Sequence, residues 1–214
     1  MAYLNGKKIF FSPKISIGAS GSVEITENGT HNVKDYAEAV VNVEGGGDEQ
    51  LRAFIEGNLE NVVIPEGVTK IKPYAFYEDD YSEYPRIETV ALPSTLKEIA
   101  VGAFMYCCNL QTPILPEGLE VIENYAFEGC DSFAGELVFP STVKYIGDLF
   151  GYSNMEFDAI VLKGIPDEIS TSAFSGAASV GEIKVPWSEG DPINEFAPWG
   201  AYDATIYYNW TEEE

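Results

Sequence analysis

The residues that could carry chemistry in this chain are one histidine, three cysteines and many carboxylates. His31 is the single histidine, and residues 1 to 47 around it contain no cysteine. A catalytic triad or a histidine metal cluster needs several such groups in one place, so His31 is interpreted as an ordinary strand residue. No Cys-x-x-Cys pair occurs among Cys107, Cys108 and Cys130, so the sequence gives little support for zinc or redox chemistry.

The carboxylates number 35, so the proximity of two of them means little by itself. A hydrolase with paired carboxylates is kept as an alternative, because it needs only two such groups facing one cleft at about 5 to 10 Å. Four acidic residues between positions 78 and 83 could hold calcium, but the ligand spacing of an EF-hand loop is missing. Tyrosines in this stretch give it the composition of a contact surface. The secondary candidate site is therefore a loop containing Tyr77, Asp79, Asp80, Tyr81 and Tyr84.

The charge balance excludes two classes of partner. The formal charge of the chain is -23, and residues 48 to 214 contain 30 of its 35 acidic residues and eight of its 12 basic residues. Such a field repels phosphate backbones and anionic lipid headgroups, so neither nucleic acid nor a membrane surface is expected as a partner. No apolar run reaches the roughly 18 residues of a transmembrane helix, and Met1 to Phe11 does not have the layout of a signal peptide. Membrane insertion and Sec export are not expected.

Six similar runs of residues divide most of the chain into copies. Their last residues are 28, 23, 24, 23 and 23 positions apart. We take the last residue of each run as its landmark. In each of the first five copies, an isoleucine lies six residues after the landmark, and a phenylalanine lies ten or eleven residues after it. A copy of about 23 residues is too short to bury its own apolar face, so copies must stack around one shared core. The runs end at Pro65, Pro93, Pro116, Pro140, Lys163 and Pro186; the isoleucines are Ile71, Ile99, Ile122, Ile146 and Ile169; the phenylalanines are Phe76, Phe104, Phe127, Phe150 and Phe174.

Each landmark run alternates as a strand does, with every second side chain pointing inward. Parallel strands from successive copies would form a narrow sheet on one side, with the phenylalanines on short helical turns opposite. Cys107 and Cys130 occupy equivalent places three residues after a repeat phenylalanine and are interpreted as small core fillers. Whether they form a disulfide is left open, because equivalent positions of adjacent copies lie close together.

The repeat Leu115-Pro116-Glu117-Gly118-Leu119-Glu120-Val121-Ile122-Glu123-Asn124-Tyr125-Ala126-Phe127-Glu128-Gly129-Cys130 resembles the BspA-type leucine-rich repeat. The resemblance covers about residues 59 to 187. It implies a mainly β solenoid with parallel strands on one side, and protein recognition or adhesion as its function. The fourth copy lacks one residue and has Leu149 where alanine is expected, so its turn side is expected to be distorted.

The predicted organisation has four parts. Residues 1–44 form a small β-hairpin module with Asn5-Gly6 and Asn28-Gly29 as turn signals, and residues 45–58 form a Gly-rich linker and a capping helix. Residues 59–187 are the solenoid, and residues 188–214 are an aromatic cap with an acidic tail. The stretch from Ile25 to Val43 resembles a module of phage and prophage tail-associated proteins of Gram-positive gut bacteria. An oligomer formed through this module is left open.

Strand alternation also identifies the primary candidate site. Where Val62 and Ile64 point into the core, the residue between them points out, which predicts an outward stripe across six copies. Its apolar composition has three interpretations: β-branched residues that suit a pleated strand, a surface covered by another part of the chain, or a partner-binding face. The stripe consists of Val63, Ala91, Ile114, Val138, Val161 and Lys184.

The sequence therefore predicts a non-enzymatic recognition or structural protein that binds a protein or cell-surface ligand. No catalytic, cofactor or metal residue is assigned. The favoured setting is a phage or prophage tail with a part in host recognition, because a virion component needs no Sec signal. The alternatives are a secreted or cell-surface adhesin and, less favoured, the hydrolase.

Overall fold

The structure is a computed structural model. It describes the backbone of residues 2–4, 7–9, 13–17, 23–27 and 61–63, and both backbone and side chains of residues 64, 68–71, 73–77 and 87–212. Two antiparallel pairs lie near the N-terminus: β1 (Ala2–Leu4) with β2 (Lys7–Ile9), and β3 (Pro13–Ile17) with β4 (Val23–Glu27). The first pair lies on either side of the predicted turn residues Asn5-Gly6, which are outside the described residues. The predicted turn at Asn28-Gly29, the linker and capping helix of residues 45–58, and His31 lie outside the described residues.

The isoleucine ladder forms a sheet of its own, which the sequence analysis did not anticipate. Five two-residue strands pair in parallel in the order β13-β11-β9-β8-β6. Their isoleucines are direct partners from one end of the ladder to the other, so successive copies bury the same side chain in the same place. The strands are β6 (Lys70–Ile71), β8 (Glu98–Ile99), β9 (Val121–Ile122), β11 (Tyr145–Ile146) and β13 (Glu168–Ile169).

The landmark runs form the second side of the solenoid, in two separate parts. β5 (Asn61–Val63) pairs with β7 (Thr89–Ala91), and a four-stranded parallel sheet has the order β10-β12-β14-β15. The strand predicted at residues 113–116 is absent, so that prediction was wrong. Pro113 and Pro116 remove two amide donors, and the Thr112 hydroxyl bonds instead to the backbone of Ala134 at 2.8 and 2.9 Å. The four strands are β10 (Ala134–Phe139), β12 (Glu156–Leu162), β14 (Ser179–Lys184) and β15 (Thr205–Tyr207).

The phenylalanine side of each copy consists of turns and not of the short helical turns predicted. The reason is that about every second amide on this side bonds to the next copy, while the amides between them close short turns, such as Ala103 to the Ala100 carbonyl. The Phe76 amide donates to the Ala103 carbonyl at 2.7 Å, and Phe104 donates to Ala126 at 2.9 Å. Amides committed to the next copy cannot close a helical turn within their own. In the fourth copy residues 147–150 form no turn, as the missing residue predicted, yet Phe150 is still fully buried.

The core is one continuous stack that runs through all copies. The rings of Phe76 and Phe104 are stacked 4.8 Å apart, and Phe104 and Phe127 follow at 5.7 Å. At the C-terminal end Trp199 is 1% exposed and meets Phe174 edge to face at 6.1 Å. A 3-10 helix, Pro192–Phe196, lies between β14 and β15. The aromatic end of the chain therefore covers the last repeat phenylalanine.

The cysteines have a polar role in addition to filling space. Both Cys107 and Cys130 are buried and free of disulfide bonds. The Cys107 thiol donates to the Phe76 carbonyl at 3.0 Å, and the Cys130 thiol donates to the Phe104 carbonyl at 3.1 Å. Each thiol thus bonds the phenylalanine of the preceding copy, which explains why a cysteine recurs at this place in the repeat.

Candidate functional site

The outward stripe predicted from strand alternation is only partly a surface. Ala91 is exposed, and Ile114 is 88% exposed. Val138 and Lys184 are half-buried, and Val161 is only 3% exposed. The prediction that Val161 contributes to an open apolar stripe was therefore wrong. The side chain of Val63 lies outside the described residues.

The burial of Val161 follows from its neighbours on the same face. In the register of the four-stranded sheet Val161 lies between Val138 on one side and Lys184 on the other. Strands in a sheet are about 4.8 Å apart, so these longer or branched side chains remove most of its contact with water. Ala159, two residues earlier, is 2% exposed and lies between Glu136 and Glu182 in the same way. Val161 and Ala159 are therefore buried because larger side chains flank them on this face of the four-stranded sheet. We call the face that carries these residues and the rest of the stripe the outer face.

The exposed part of the stripe is centred on Ile114. Ile114 belongs to the third copy, whose missing strand separates the β5-β7 pair from the four-stranded sheet. An isoleucine at 88% exposure costs free energy in water that a partner could recover. No described residue covers it, so the described part of the chain supplies no lid for this position.

Lys184 is the cation of the outer face, and carboxylates surround it. Its ammonium group lies 3.1 Å from Glu182 and 3.6 Å from Glu136. The hydrogen bond to Glu182 raises the pKa of Lys184 above its ordinary value, although partial burial acts in the opposite direction. Lys184 is therefore held charged, and its charge is neutralised within the face.

A groove of about 860 Å³ lies over the C-terminal end of this face. Its lining includes Asp158, Ala159, Gly181, Tyr202 and Asp203. The sequence analysis assigned only Lys184 to this region. A signal was available, because Tyr207 follows Lys184 by the repeat spacing of 23 residues and pairs with it in the sheet. Because the sequence analysis interpreted residues 188–214 only as a cap, it did not predict that the sheet continues into this segment.

Of the five residues named for the secondary candidate loop, the structure describes only Tyr77. Tyr77 is half-buried, 5.8 Å from the Tyr106 ring and 6.2 Å from the Tyr74 ring. Tyr77 therefore belongs to a small aromatic cluster on the turn side of the solenoid. The other four members, Asp79, Asp80, Tyr81 and Tyr84, lie outside the described residues.

The described residues contain no group of three or more histidine, cysteine or acidic residues placed to hold a metal ion. No described helix is long and apolar enough to span a membrane. The acidic stretch considered for calcium, residues 78–83, lies outside the described part of the chain, so that alternative is untested.

Comparison with known proteins supports the repeat analysis. The model of the BspA type leucine rich repeat region matches residues 50–181 as six copies. No match was found among curated proteins. One similar solved structure is titled as a leucine rich repeat protein of T. pallidum, with 26% sequence identity, 73% of this chain and 72% of that chain covered, and a TM-score of 0.49.

Proposed function

Because the chain belongs to the BspA-type leucine-rich repeat family, in which repeats generally mediate protein binding, we propose that its outer face is a non-enzymatic protein-recognition surface. The observation that supports this most directly is Ile114. It is an apolar side chain that is 88% exposed, and Ala91, the equivalent residue of the preceding copy, is exposed as well. An apolar anchor bordered by polar groups is the usual composition of a protein interface.

The test uses peptides displayed on a library and selected against the whole folded chain. Enriched peptides are synthesised, and their affinity is measured for the unaltered protein and for Ile114→Asp. We expect Ile114→Asp to weaken binding by at least about tenfold, because a charge would replace the apolar anchor. Since the side chain is exposed, unfolding free energy should change by no more than about 0.5 kcal/mol.

Ile165→Asp is the matched control. Ile165 is 57% exposed and follows β12 in a loop away from the sheet, so the same substitution leaves the outer face intact. Equal loss of affinity in both variants, or no loss in Ile114→Asp, would contradict recognition through this face.

Two settings for this recognition are proposed, and each has its own support. The resemblance of residues 25–43 to tail-associated modules favours a phage or prophage tail with a role in host recognition. The BspA-type repeats favour a secreted or cell-surface adhesin. Antibody against the chain would be applied to intact cells and to particles sedimented after prophage induction. Signal on the particles alone supports the tail, and signal on the cell surface without induction supports the adhesin.

A further inference from the structure

The groove at the C-terminal end of the outer face contains more carboxylates than its one lysine can neutralise. Four carboxylates and one ammonium group line it: Glu136, Asp158, Glu182, Asp203 and Lys184. Glu182 and Glu136 both lie within ion-pair distance of Lys184. Within the described part of the chain, neither Asp158 nor Asp203 is paired with a cation. The groove thus contains three more carboxylates than ammonium groups, and two of its carboxylates, Asp158 and Asp203, lie outside the ion pairs of Lys184.

Aromatic rings stand beside these carboxylates. Tyr202 is 72% exposed and Tyr207 is 46% exposed, and both line the groove. The face of an aromatic ring attracts a Lys or Arg cation, with the strongest effect where water is displaced. Exposed tyrosines next to carboxylates therefore suit a cationic side chain with an apolar stem.

Two residues that line this groove have a distinctive backbone geometry. Gly181 approaches the preceding copy so closely that a Cβ atom would lie 2.7 Å from the Asp158 carbonyl oxygen. Asp203 has a φ of 56°, a left-handed conformation that aspartate adopts more readily than most residues.

From this groove we infer that the protein binds an extended partner segment through a Lys or Arg side chain placed between Asp158, Asp203 and the two tyrosines. The inference rests on the proposed function, and it specifies the chemistry of the partner. Charge complementarity favours a cationic peptide over a neutral sugar, because the residues from 48 onward carry most of the formal charge of -23. A bare metal ion fits poorly, since the described residues hold no cluster of three or more metal-ligating groups.

The probes are three octapeptides of alternating sequence, Arg-Thr, citrulline-Thr and Glu-Thr, each with a fluorescent label. Citrulline keeps the shape and hydrogen-bonding stem of arginine and removes its charge. Binding to the whole chain is measured by fluorescence anisotropy at low and high salt. We expect the Arg-Thr peptide to bind, the other two to bind at least about tenfold more weakly, and salt to weaken the Arg-Thr complex.

The decisive variant is Asp158→Asn/Asp203→Asn, and the matched control is Asp167→Asn/Glu195→Gln. Both remove two charges at exposed positions, and asparagine tolerates the left-handed backbone at position 203. The groove variant should lose about tenfold in affinity for the Arg-Thr peptide, and the control less than about twofold. Circular dichroism checks that both remain folded.

Other outcomes would overturn the inference. Equal losses in the two variants would show that the peptide responds to the overall field. Absence of Arg-Thr binding, or binding of neutral oligosaccharides that depends on Tyr202, would contradict a cationic partner. If library peptides depend on Ile114 while the Arg-Thr peptide does not bind, recognition through the outer face stands and the cationic groove fails. If neither depends on this face, both proposals fail.

Discussion

Single residues in the shared interior determine how well the copies hold together. Phe127 is fully buried and lies in contact range of the rings of Phe104, at 5.7 Å, and Phe133, at 5.2 Å. Phe127→Ala removes this ring from the middle of the stack and leaves a cavity. We expect a loss of about 3 to 5 kcal/mol in the free energy of unfolding, measured by urea denaturation.

The comparison variant for Phe127 is Tyr152→Ala. Tyr152 is 94% exposed, so the loss of its ring should change stability by no more than about 0.5 kcal/mol. Similar losses in the two variants would contradict the assigned register, in which the repeat phenylalanines face inward.

Two glutamates are expected to respond to pH in opposite senses. Lys144 and Lys97 donate hydrogen bonds to Glu120 and lower its pKa, whereas burial raises the pKa of Glu128. A carboxyl with a lowered folded pKa stabilises the fold above its unfolded pKa, and this stabilisation is lost as pH falls through the folded pKa. A carboxyl with a raised folded pKa destabilises the fold when it is ionised, and the penalty disappears as pH falls through that pKa to the unfolded value.

Glutamine substitution tests this pair. At pH 7, Glu120→Gln should lower the melting temperature slightly, because an exposed ion pair contributes little, and Glu128→Gln should raise it. Both differences from the unaltered protein should shrink as pH falls below the ordinary glutamate pKa of 4.5. Differential scanning fluorimetry from pH 3 to pH 8 measures both. Shifts of the same sign at pH 7 would contradict the assignment.

At the scale of the element, the closeness of successive copies is fixed by glycine. Gly176 has a φ of 106°, and a Cβ atom there would lie 1.7 Å from the Gly151 carbonyl oxygen. Because both the backbone conformation and the contact forbid a side chain, Gly176→Ala should lose well over about 1 kcal/mol. Denaturant unfolding measures the loss.

Gly190→Ala is the control for this close approach. A Cβ atom at Gly190 has no neighbour within 4 Å, so alanine should leave stability unchanged or raise it by up to about 1 kcal/mol, since it restricts the unfolded chain. A loss at Gly190 as large as that at Gly176 would show that glycine matters here for reasons other than the contact between copies.

The sequence predicted correctly which side chains are buried wherever burial follows directly from spacing. Ile99 and Ile122 repeat every 23 residues and are buried, because a constant period places equivalent side chains one above another. The outer face could not be predicted in the same way. Ile114 and Val161 occupy equivalent positions, yet one is 88% and the other 3% exposed. Strand alternation predicts the direction of a side chain, whereas its exposure depends on the size of the side chains beside it.

Two further elements departed from the prediction for local reasons. Pro113 and Pro116 break the strand of the third copy, which the sequence counted as a strand because of its apolar run. The turn side was expected to be helical from the Ala-Phe pairs, but hydrogen bonds such as Phe76 to Ala103 join adjacent copies. Stacking of the copies determines which carbonyl groups these amides bond. The sequence of a single copy does not contain that information.

At the scale of the whole molecule, the solenoid is a linear stack in which the surface charge opposes compaction. Residues from 48 onward carry far more acidic than basic groups, and described lysines such as Lys70, Lys97 and Lys144 pair with carboxylates of the same or neighbouring copies. Exposed ion pairs of this kind contribute little to stability, because water screens them. The stack is therefore held by its interior, and its stability depends on how its terminal copies are covered.

The C-terminal end tests this dependence. A stop after Pro186 removes Trp199 and β15, which cover Phe174 and pair with β14. Because a solenoid needs its terminal copy covered, we expect the shortened chain to lose cooperative unfolding and to aggregate, as measured by thermal unfolding and size-exclusion chromatography. A stop after Trp210 is the control, since it keeps both elements and the bond from the Trp210 amide to the Val185 carbonyl. Equal behaviour of the two shortened chains would show that the aromatic end is dispensable and that the copies are stable without closure.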